Sequence, residues 1–212
     1  DLQLRSLALA WATVDPARAA PLVEQAGDPA LRAWTYRELA GLTNSAQLYN
    51  RALESARLIV DPIQRAGALR EIASAADKPA LYAEALAALE GATGAPLAYA
   101  LSDLAAASGD ATLAAQIEPA YAGARASALP RMGQYPAAWE AASQIADPYE
   151  QARAQAAIAG AWENAEAAAE IKVTLYRDLG LRDVIRKTGN AALVHSISMA
   201  YYKVQAWVAT GD

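Results

Sequence analysis

The sequence predicts an all-α protein, an α-solenoid in which roughly 12 to 13 short helices form a stack of antiparallel hairpins. Three observations lead to this prediction. Apolar residues recur at helical spacing, breakers containing Pro divide the chain at regular intervals, and one segment occurs twice in similar form. It is DPIQRAGALREIASA at residues 61–75 and DPYEQARAQAAIAGA at residues 147–161. Helical spacing combined with regular repetition is typical of stacked helical repeats.

Composition favours closely packed helices. Hydrophobic residues make up 55% of the 212 residues, yet Phe is absent and alanine dominates. Alanine has the highest helix propensity, and its small side chain allows helix axes to approach closely. A chain of this length is also long enough to bury a substantial core.

Charge and cysteine content exclude several classes of function. The net charge of -5 argues against nucleic-acid binding, because that affinity comes mainly from clustered Lys and Arg. No stretch approaches the ~18 apolar residues of a membrane span, so no direct membrane insertion is predicted. The absence of Cys excludes thiolate chemistry and is compatible with the cytoplasm or an extracytoplasmic space. The start at Asp1, without Met or a signal-peptide pattern, favours a piece of a longer protein.

Helix starts are marked by Asp-Pro pairs. The Asp side chain can cap free amides, and Pro at the first helical position loses no hydrogen bond. These pairs lie at 15–16, 28–29, 61–62 and 147–148, with other Pro breakers at 78–79, 95–96 and 135–136. The predicted helices span residues 16–26, 29–42, 45–60, 62–76, 79–91, 96–108, 110–122, 124–133, 136–146, 148–162 and 164–179, with one or two more between 182 and 210.

A five-residue pattern recurs along the chain and ends in a large apolar residue followed by Ala or Gly. Its copies are LRSLA at 4–8, YRELA at 36–40, LREIA at 69–73, LSDLA at 101–105, LPRMG at 129–133 and QAAIA at 155–159. We call the large residue the anchor: Leu7, Leu39, Ile72, Leu104, Met132 and Ile158, at separations of 32, 33, 32, 28 and 26 residues. An Ala-rich globular bundle is the alternative, but bundles rarely repeat one pattern at such spacing.

These features resemble degenerate tetratricopeptide repeats. The resemblance rests on the anchor pairs and on Ala-rich second helices closed by Asp-Pro, as in ALESARLIVDP at 52–62 and WEAASQIADP at 139–148. It implies a right-handed superhelix of repeats over residues 1–162, continued by divergent C-terminal helices over residues 163–212. Other helical repeats, such as HEAT repeats, are the alternative subclass.

The resemblance also implies a concave groove lined by the first helix of each hairpin. The residues two before each anchor would face it: Arg5, Arg37, Arg70, Ser102, Pro130 and Ala156. With Trp34, Asn44 and Tyr99, the three arginines are candidates for binding an acidic or C-terminal peptide segment, since Arg makes paired hydrogen bonds with carboxylates. The competing interpretation is that these arginines are solvated and paired with Glu38 and Glu71.

No catalytic or metal-binding pattern is present. His195 is the only histidine and has no nucleophile or carboxylate at a recognisable motif spacing. Without Cys and with one His, no metal site is predicted. The two glycines of GATGA at 91–95 lack the strand and Lys of a phosphate-binding loop. We therefore expect no enzyme activity and no cofactor.

The C-terminal segment loses the repeated pattern after residue 171. It ends in Gly211-Asp212, resembling the helix stop and cap at Gly109-Asp110, which predicts that the natural chain continues. An apolar end face is predicted at Tyr201, Tyr202, Val204 and Trp207, available for a further repeat or a partner.

Two classes of function follow. The first is a non-enzymatic scaffold for protein–protein interaction, acting as a subunit or domain of a larger complex. The second is an α-superhelical regulatory or ligand-sensing domain of a larger enzyme or signalling protein. A cavity lined by converging polar groups would favour the second class, and an open groove would favour the first.

Overall fold

The computed structural model describes residues 2–12 and 14–211, without the side chains of residues 16 and 17. Throughout this part of the chain the regular structure is helical, which confirms the all-α prediction. The α-helices are α1 Leu2–Ala12, α2 Pro16–Glu24, α3 Pro29–Thr43, α4 Ala46–Arg57, α5 Pro62–Ala75, α6 Ala80–Ala88, α7 Gly94–Ser108, α8 Ala111–Ala115, α9 Ala122–Ala128, α10 Tyr135–Ser143, α11 Pro148–Trp162, α12 Ala165–Ala169, α13 Thr174–Thr188 and α14 Ala200–Thr210. Short 3₁₀ helices occur at Pro119–Tyr121, Leu129–Met132 and Ala191–Ser196.

The Asp-Pro pairs start helices as predicted. Asp28 accepts a hydrogen bond of 2.9 Å from the amide of Ala30, and Asp61 accepts one of 2.7 Å from the amide of Gln64. Asp147 accepts from two amides at the start of α11, at 2.9 and 2.8 Å. Each carboxylate thus satisfies donors that the first helical turn leaves without partners.

The residue four positions after each of these aspartates ties its helix to the preceding segment. Arg32 donates to the carbonyl of Ala26 at 3.0 Å, and Arg65 donates to the carbonyl of Ile59 at 3.3 Å. Gln151 donates to the carbonyl of Ser143 at 2.8 Å. The similar strings at 61–75 and 147–161 therefore encode the same start of a first helix, including its link to the helix before it.

Four first helices, α3, α5, α7 and α11, end in a common left-handed turn, five residues after the anchor. Asn44, Asp77 and Glu163 have φ of 50°, 50° and 59°, and Gly109 has φ of 74°. After the three non-glycine residues, the next amide returns to the carbonyl of the small residue beside the anchor. The bonds are Ser45 to Ala40 at 3.1 Å, Lys78 to Ala73 at 2.9 Å and Asn164 to Ala159 at 3.1 Å. This pattern is that of a Schellman-type helix end.

The chain forms two compact units, Asp1–Ala100 and Leu101–Asp212. In the first unit, α1 packs against α2 and α3, and α3 packs against α4 and α5. Helix α5 packs in turn against α6. The anchors Leu39 and Ile72 are 0% and 1% exposed, whereas Leu7 in α1 is 48% exposed.

The second unit has the same pattern of neighbours. Helix α9 packs against α10 and α11, α11 against α12 and α13, and α13 against α14. A methyl group on Gly160 of α11 would lie 2.9 Å from the Cβ atom of Asp183 in α13, so the close approach of these helices requires glycine. Residues 163–212 lie in the same compact unit as residues 101–162.

Several predicted helix boundaries are wrong. Helix α1 lies before the first predicted helix, and the predicted helix 164–179 is two helices, α12 and α13, separated by residues 170–173. The predicted helix 110–122 stops at Ala115. The helix predicted over 124–133 begins at Ala122 and becomes a 3₁₀ helix from Leu129, where Pro130 cannot continue an α-helical hydrogen-bond ladder.

The break in 164–179 arises because Ile171 turns into the core, where it is 2% exposed. Its amide donates to the carbonyl of Ala168 at 3.3 Å, ending α12. The same Ala-x-x-Ile turn follows three other second helices, at Ile59, Ile117 and Ile145. This repeated signal is present in the sequence and marks the end of four second helices, α4, α8, α10 and α12.

Candidate functional site

Three consecutive first helices carry an arginine two residues before the anchor: Arg5 in α1, Arg37 in α3 and Arg70 in α5. We call them the arginine row. Arg5 pairs with Glu38 of α3 at 2.9 Å, and Arg37 pairs with Glu71 of α5 at 3.4 Å. These two contacts join successive hairpins of the first unit, so the row is part of the packing between them.

Arg70 shares the acidic partner of Arg37. Its Nη2 atom lies 3.6 Å from Oε1 of Glu71, while Arg37 approaches Oε2 of the same carboxylate. The row therefore sets three guanidinium groups against the carboxylates of Glu38 and Glu71, leaving an excess of one positive charge. The contact of Arg37 with Glu71 is made by its buried Nε atom, and at 3.4 Å it lacks the geometry of a hydrogen bond. A better-aligned acceptor would therefore be favoured at this donor.

The other groove candidates lie in different settings. Trp34 is half-buried in α3, and Tyr99 in α7 is 60% exposed. Asn44 is exposed at the left-handed end of α3, so its local backbone geometry alone favours Asn there. A role for these three side chains in binding stays a prediction.

The prediction of groove-facing residues in the second unit is wrong for Ser102 and Ala156. Ser102 is 3% exposed, and its hydroxyl lies 3.1 Å from that of Ser127. Ala156 is 1% exposed and packs in a core cluster with Ala152 and Ile171. Both side chains are covered by neighbouring helices, so neither is available to a partner.

Ion pairing in both units involves the residue directly before the anchor. Glu38 and Glu71 occupy this position in the first unit. Asp103 occupies it in the second and pairs with Arg131, also directly before its anchor, at 3.4 Å. The sequence shows these charged residues directly before the anchor, whereas the groove prediction concerns the residue two before it.

The four residues of the predicted end face all lie in α14. Tyr201, Val204 and Trp207 are 66%, 55% and 41% exposed. Tyr202 differs, because it packs against a buried cluster that includes Leu181 and Ala206. The guanidinium of Arg182 also lies over its ring, 5.3 Å from the centroid. The contact role of this end face stays a prediction.

The remaining candidates for chemistry are His195 and the acidic side chains. His195 is exposed within the last 3₁₀ helix. In the part of the chain that the structure describes, no three His, Asp or Glu residues are placed to hold a metal ion. Within the same residues, no helix has both the length and the hydropathy needed to cross a bilayer.

A polar cavity of about 380 Å³, open to solvent on one side, lies between α2, α3 and α4. Its lining consists of Glu24, Arg32, Tyr36, Arg51, Glu54, Ser55 and Leu58. Arg51 forms an ion pair with Glu24 through Nη1, and its guanidinium lies over the ring of Tyr36, 6.0 Å from the centroid. This cavity is not evident from the sequence, because its side chains come from three helices and share no motif.

Tyr36 forms the floor of the cavity. The residue is 2% exposed, and its hydroxyl donates to the carbonyl of Ala20 at 3.3 Å. Burial raises the pKa of Tyr36, because the phenolate would lose its hydration. Tyr36 is therefore a neutral aromatic surface at physiological pH.

An ion pair with the charges exchanged lies at the equivalent position between α4 and α6. A shift of 33 residues converts Glu24 and Arg51 into Arg57 and Glu84. Arg57 donates two hydrogen bonds to Glu84, at 2.7 and 2.8 Å. These bonds hold the pKa of Glu84 below its ordinary value.

We expect Glu84→Gln to reduce the acid sensitivity of folding. The folded-state pKa of Glu84 is lowered, so its contribution is complete above the ordinary value of 4.5 and is lost as pH falls through the folded-state pKa. Because both partners are partly exposed, the loss at neutral pH should stay below about 1 kcal/mol. Urea unfolding of both proteins at several pH values measures it. A difference that does not shrink in acid would contradict the assignment.

No protein-family model matches the chain, and neither a curated protein nor a solved structure shows significant similarity to it.

Proposed function

We propose that the protein is a non-catalytic scaffold for protein–protein interaction, which binds an acidic segment of a partner along the arginine row. The arginine row is the single observation that carries this proposal. Three guanidinium groups at corresponding positions of consecutive hairpins offer regularly spaced donors to an extended chain of carboxylates.

The repeat architecture proposed with this function is a tetratricopeptide-like α-solenoid. In its favour, first helices contact both their own second helix and the next first helix, in each compact unit. The recurring Asp caps and left-handed helix ends also support repeated hairpins of one type. Such stacks present the same helix position from each repeat to a common surface.

Binding would proceed by exchange of ion-pair partners. Glu38 and Glu71 hold the arginines in place in the free protein, and both carboxylates are more than a third exposed, so each pair is weakened by solvent screening. A partner carboxylate adds bidentate contacts to a side chain that is already oriented. The excess positive charge of the row favours an acidic partner within a protein whose net charge is -5.

Charge reversal in the row tests the proposal. Arg37→Glu combined with Arg70→Glu should weaken binding of short acidic peptides by at least about tenfold, because hydrogen bonds between charged groups contribute about 1.5–3 kcal/mol each. Fluorescence anisotropy with labelled peptides, carrying free or amidated C-termini, provides the dissociation constants. Binding should also weaken as salt is raised.

A matched control separates the row from total charge. Arg186→Glu combined with Lys187→Glu makes the same change in net charge on exposed residues of α13. This control should bind the peptides only slightly more weakly than the unmodified protein. If both double variants lose affinity equally, or if neither does, the arginine row is not the binding surface.

A further inference from the structure

We propose that the cavity between α2, α3 and α4 binds a small zwitterion of the amino-acid class. This site is separate from the arginine row, since it uses different residues, and it goes beyond the scaffold function. It corresponds to the ligand-binding class of function that a polar cavity was expected to favour.

The first argument is the charge of the lining. Two guanidinium groups, Arg32 and Arg51, and two carboxylates, Glu24 and Glu54, line one cavity. A ligand with only one charge would meet as many like charges as opposite ones. A molecule with an ammonium group and a carboxylate can place each beside lining groups of opposite charge, so the balanced lining selects a zwitterion.

The second argument is that the lining groups are already oriented. Arg32 is held by its hydrogen bond to the carbonyl of Ala26 at 3.0 Å, and Arg51 by Glu24 and the ring of Tyr36. The hydroxyl of Ser55 donates to the carbonyl of Arg51 at 2.9 Å, within the same helix. A guanidinium has five N–H donors in a fixed plane. The contact of Arg51 with Glu24 is made through one of its nitrogens, Nη1. Oriented groups lose little entropy when a ligand binds.

The third argument comes from the repeat itself. The position 33 residues after Tyr36 is Leu69, which is 1% exposed. Glu54 and Ser55 correspond to Ala87 and Ala88 by the same shift. The next hairpin therefore packs with apolar residues at three positions where the cavity has polar ones. The fold does not require this polarity, so the cavity has polar groups beyond those that packing needs.

The size of the cavity is consistent with one small organic molecule. A volume of about 380 Å³ lies toward the lower end of the range for small-molecule sites. The side chain of Leu58, which is 60% exposed, supplies apolar contact beside the charged groups. An amino acid with an apolar or aromatic side chain fits this combination better than a polyanion or a sugar.

Titration of the free amino acids tests the proposal. The unmodified protein is titrated with each of the standard L-amino acids, and amide chemical shifts are followed by NMR. We expect at least one of them to shift the amides of α2, α3 and α4 with a saturable dependence on concentration below about 10 mM. Its N-acetylated and C-amidated forms should each bind at least about tenfold more weakly, since each lacks one charge.

Variants locate the binding to this cavity. Arg51→Gln should weaken binding at least about tenfold, because it removes a charged donor from a partly exposed position. Tyr36→Leu introduces the residue that the next hairpin has at this place and should also weaken binding. Arg37→Glu combined with Arg70→Glu changes charges that do not line the cavity and should leave affinity unchanged.

Three outcomes would overturn the proposal: no saturable shifts in α2, α3 and α4, equal binding of the blocked and free amino acids, or unchanged affinity in Arg51→Gln. Any of them leaves the peptide-binding test of the arginine row unaffected. The two proposals therefore fail independently.

Discussion

Ile72→Ala is expected to lower the free energy of unfolding by about 2–5 kcal/mol, the range for removing a large aliphatic side chain from a core. Ile72 is an anchor of the repeated pattern and is 1% exposed. Its helix α5 packs against α3, α4 and α6, so a cavity at this position removes contacts from several helices at once. Urea unfolding followed by circular dichroism measures the change.

The matched control is Leu7→Ala. Leu7 occupies the same position of the repeated pattern but is 48% exposed. We therefore expect this substitution to cost less than about 1 kcal/mol, since it removes little buried surface. Equal losses for the two substitutions would show that the anchor position stabilises the protein by something other than burial.

Asp178→Ala is expected to lower the free energy of unfolding by about 2–4 kcal/mol, because it removes a buried carboxylate that accepts several hydrogen bonds. Asp178 in α13 is 0% exposed. Its carboxylate accepts hydrogen bonds of 2.9 and 2.7 Å from the amides of Ser198 and Met199, at the start of α14. Arg177 lies 3.3 Å from its other oxygen. Removing the Asp178 carboxylate should also speed amide hydrogen exchange throughout α14, which this carboxylate caps.

Asp183→Ala provides the comparison within the same helix. Asp183 also follows an arginine and pairs with it, with Arg182 Nη2 at 2.6 Å, but its side chain is 34% exposed. Removing it should cost less than about 1 kcal/mol and leave hydrogen exchange in α14 nearly unchanged. If both aspartates have equal effects, capping of α14 is not the function of Asp178.

Local signals in the sequence were sufficient to predict much of the fold. Asp28, Asp61 and Asp147 each precede Pro and cap a helix, and this interaction needs only three or four neighbouring residues. Anchors such as Leu39 and Ile72 were also identified by spacing alone. The end of α12 is not evident from helical periodicity, because Ile171 also fits one more turn of a continuous helix. In the structure Ile171 forms the same helix-ending turn as Ile59.

The candidate sites were less predictable, since they depend on contacts between helices. The spacing of Arg5 and Arg37 predicts the arginine row. The competing interpretation, in which these arginines pair with Glu38 and Glu71, also follows from the sequence. The cap of α14 by Asp178 spans 20 residues and follows no local pattern. The cavity at Tyr36 became recognisable only when the helices on either side of it were placed, because no single helix carries its polar groups.

The exchanged ion pairs on either side of α4 have a consequence for assembly of the first unit. Helix α4 carries arginine on both sides, with Glu24 of α2 facing Arg51 and Glu84 of α6 facing Arg57. If folding skipped one hairpin and stacked α6 beside α2, Glu84 would take the place of Arg51 opposite Glu24, and two carboxylates would repel each other. Helical hairpins of similar shape can pack in more than one order. We therefore expect the two pairs to disfavour this misassembled order, even where each contributes little to stability.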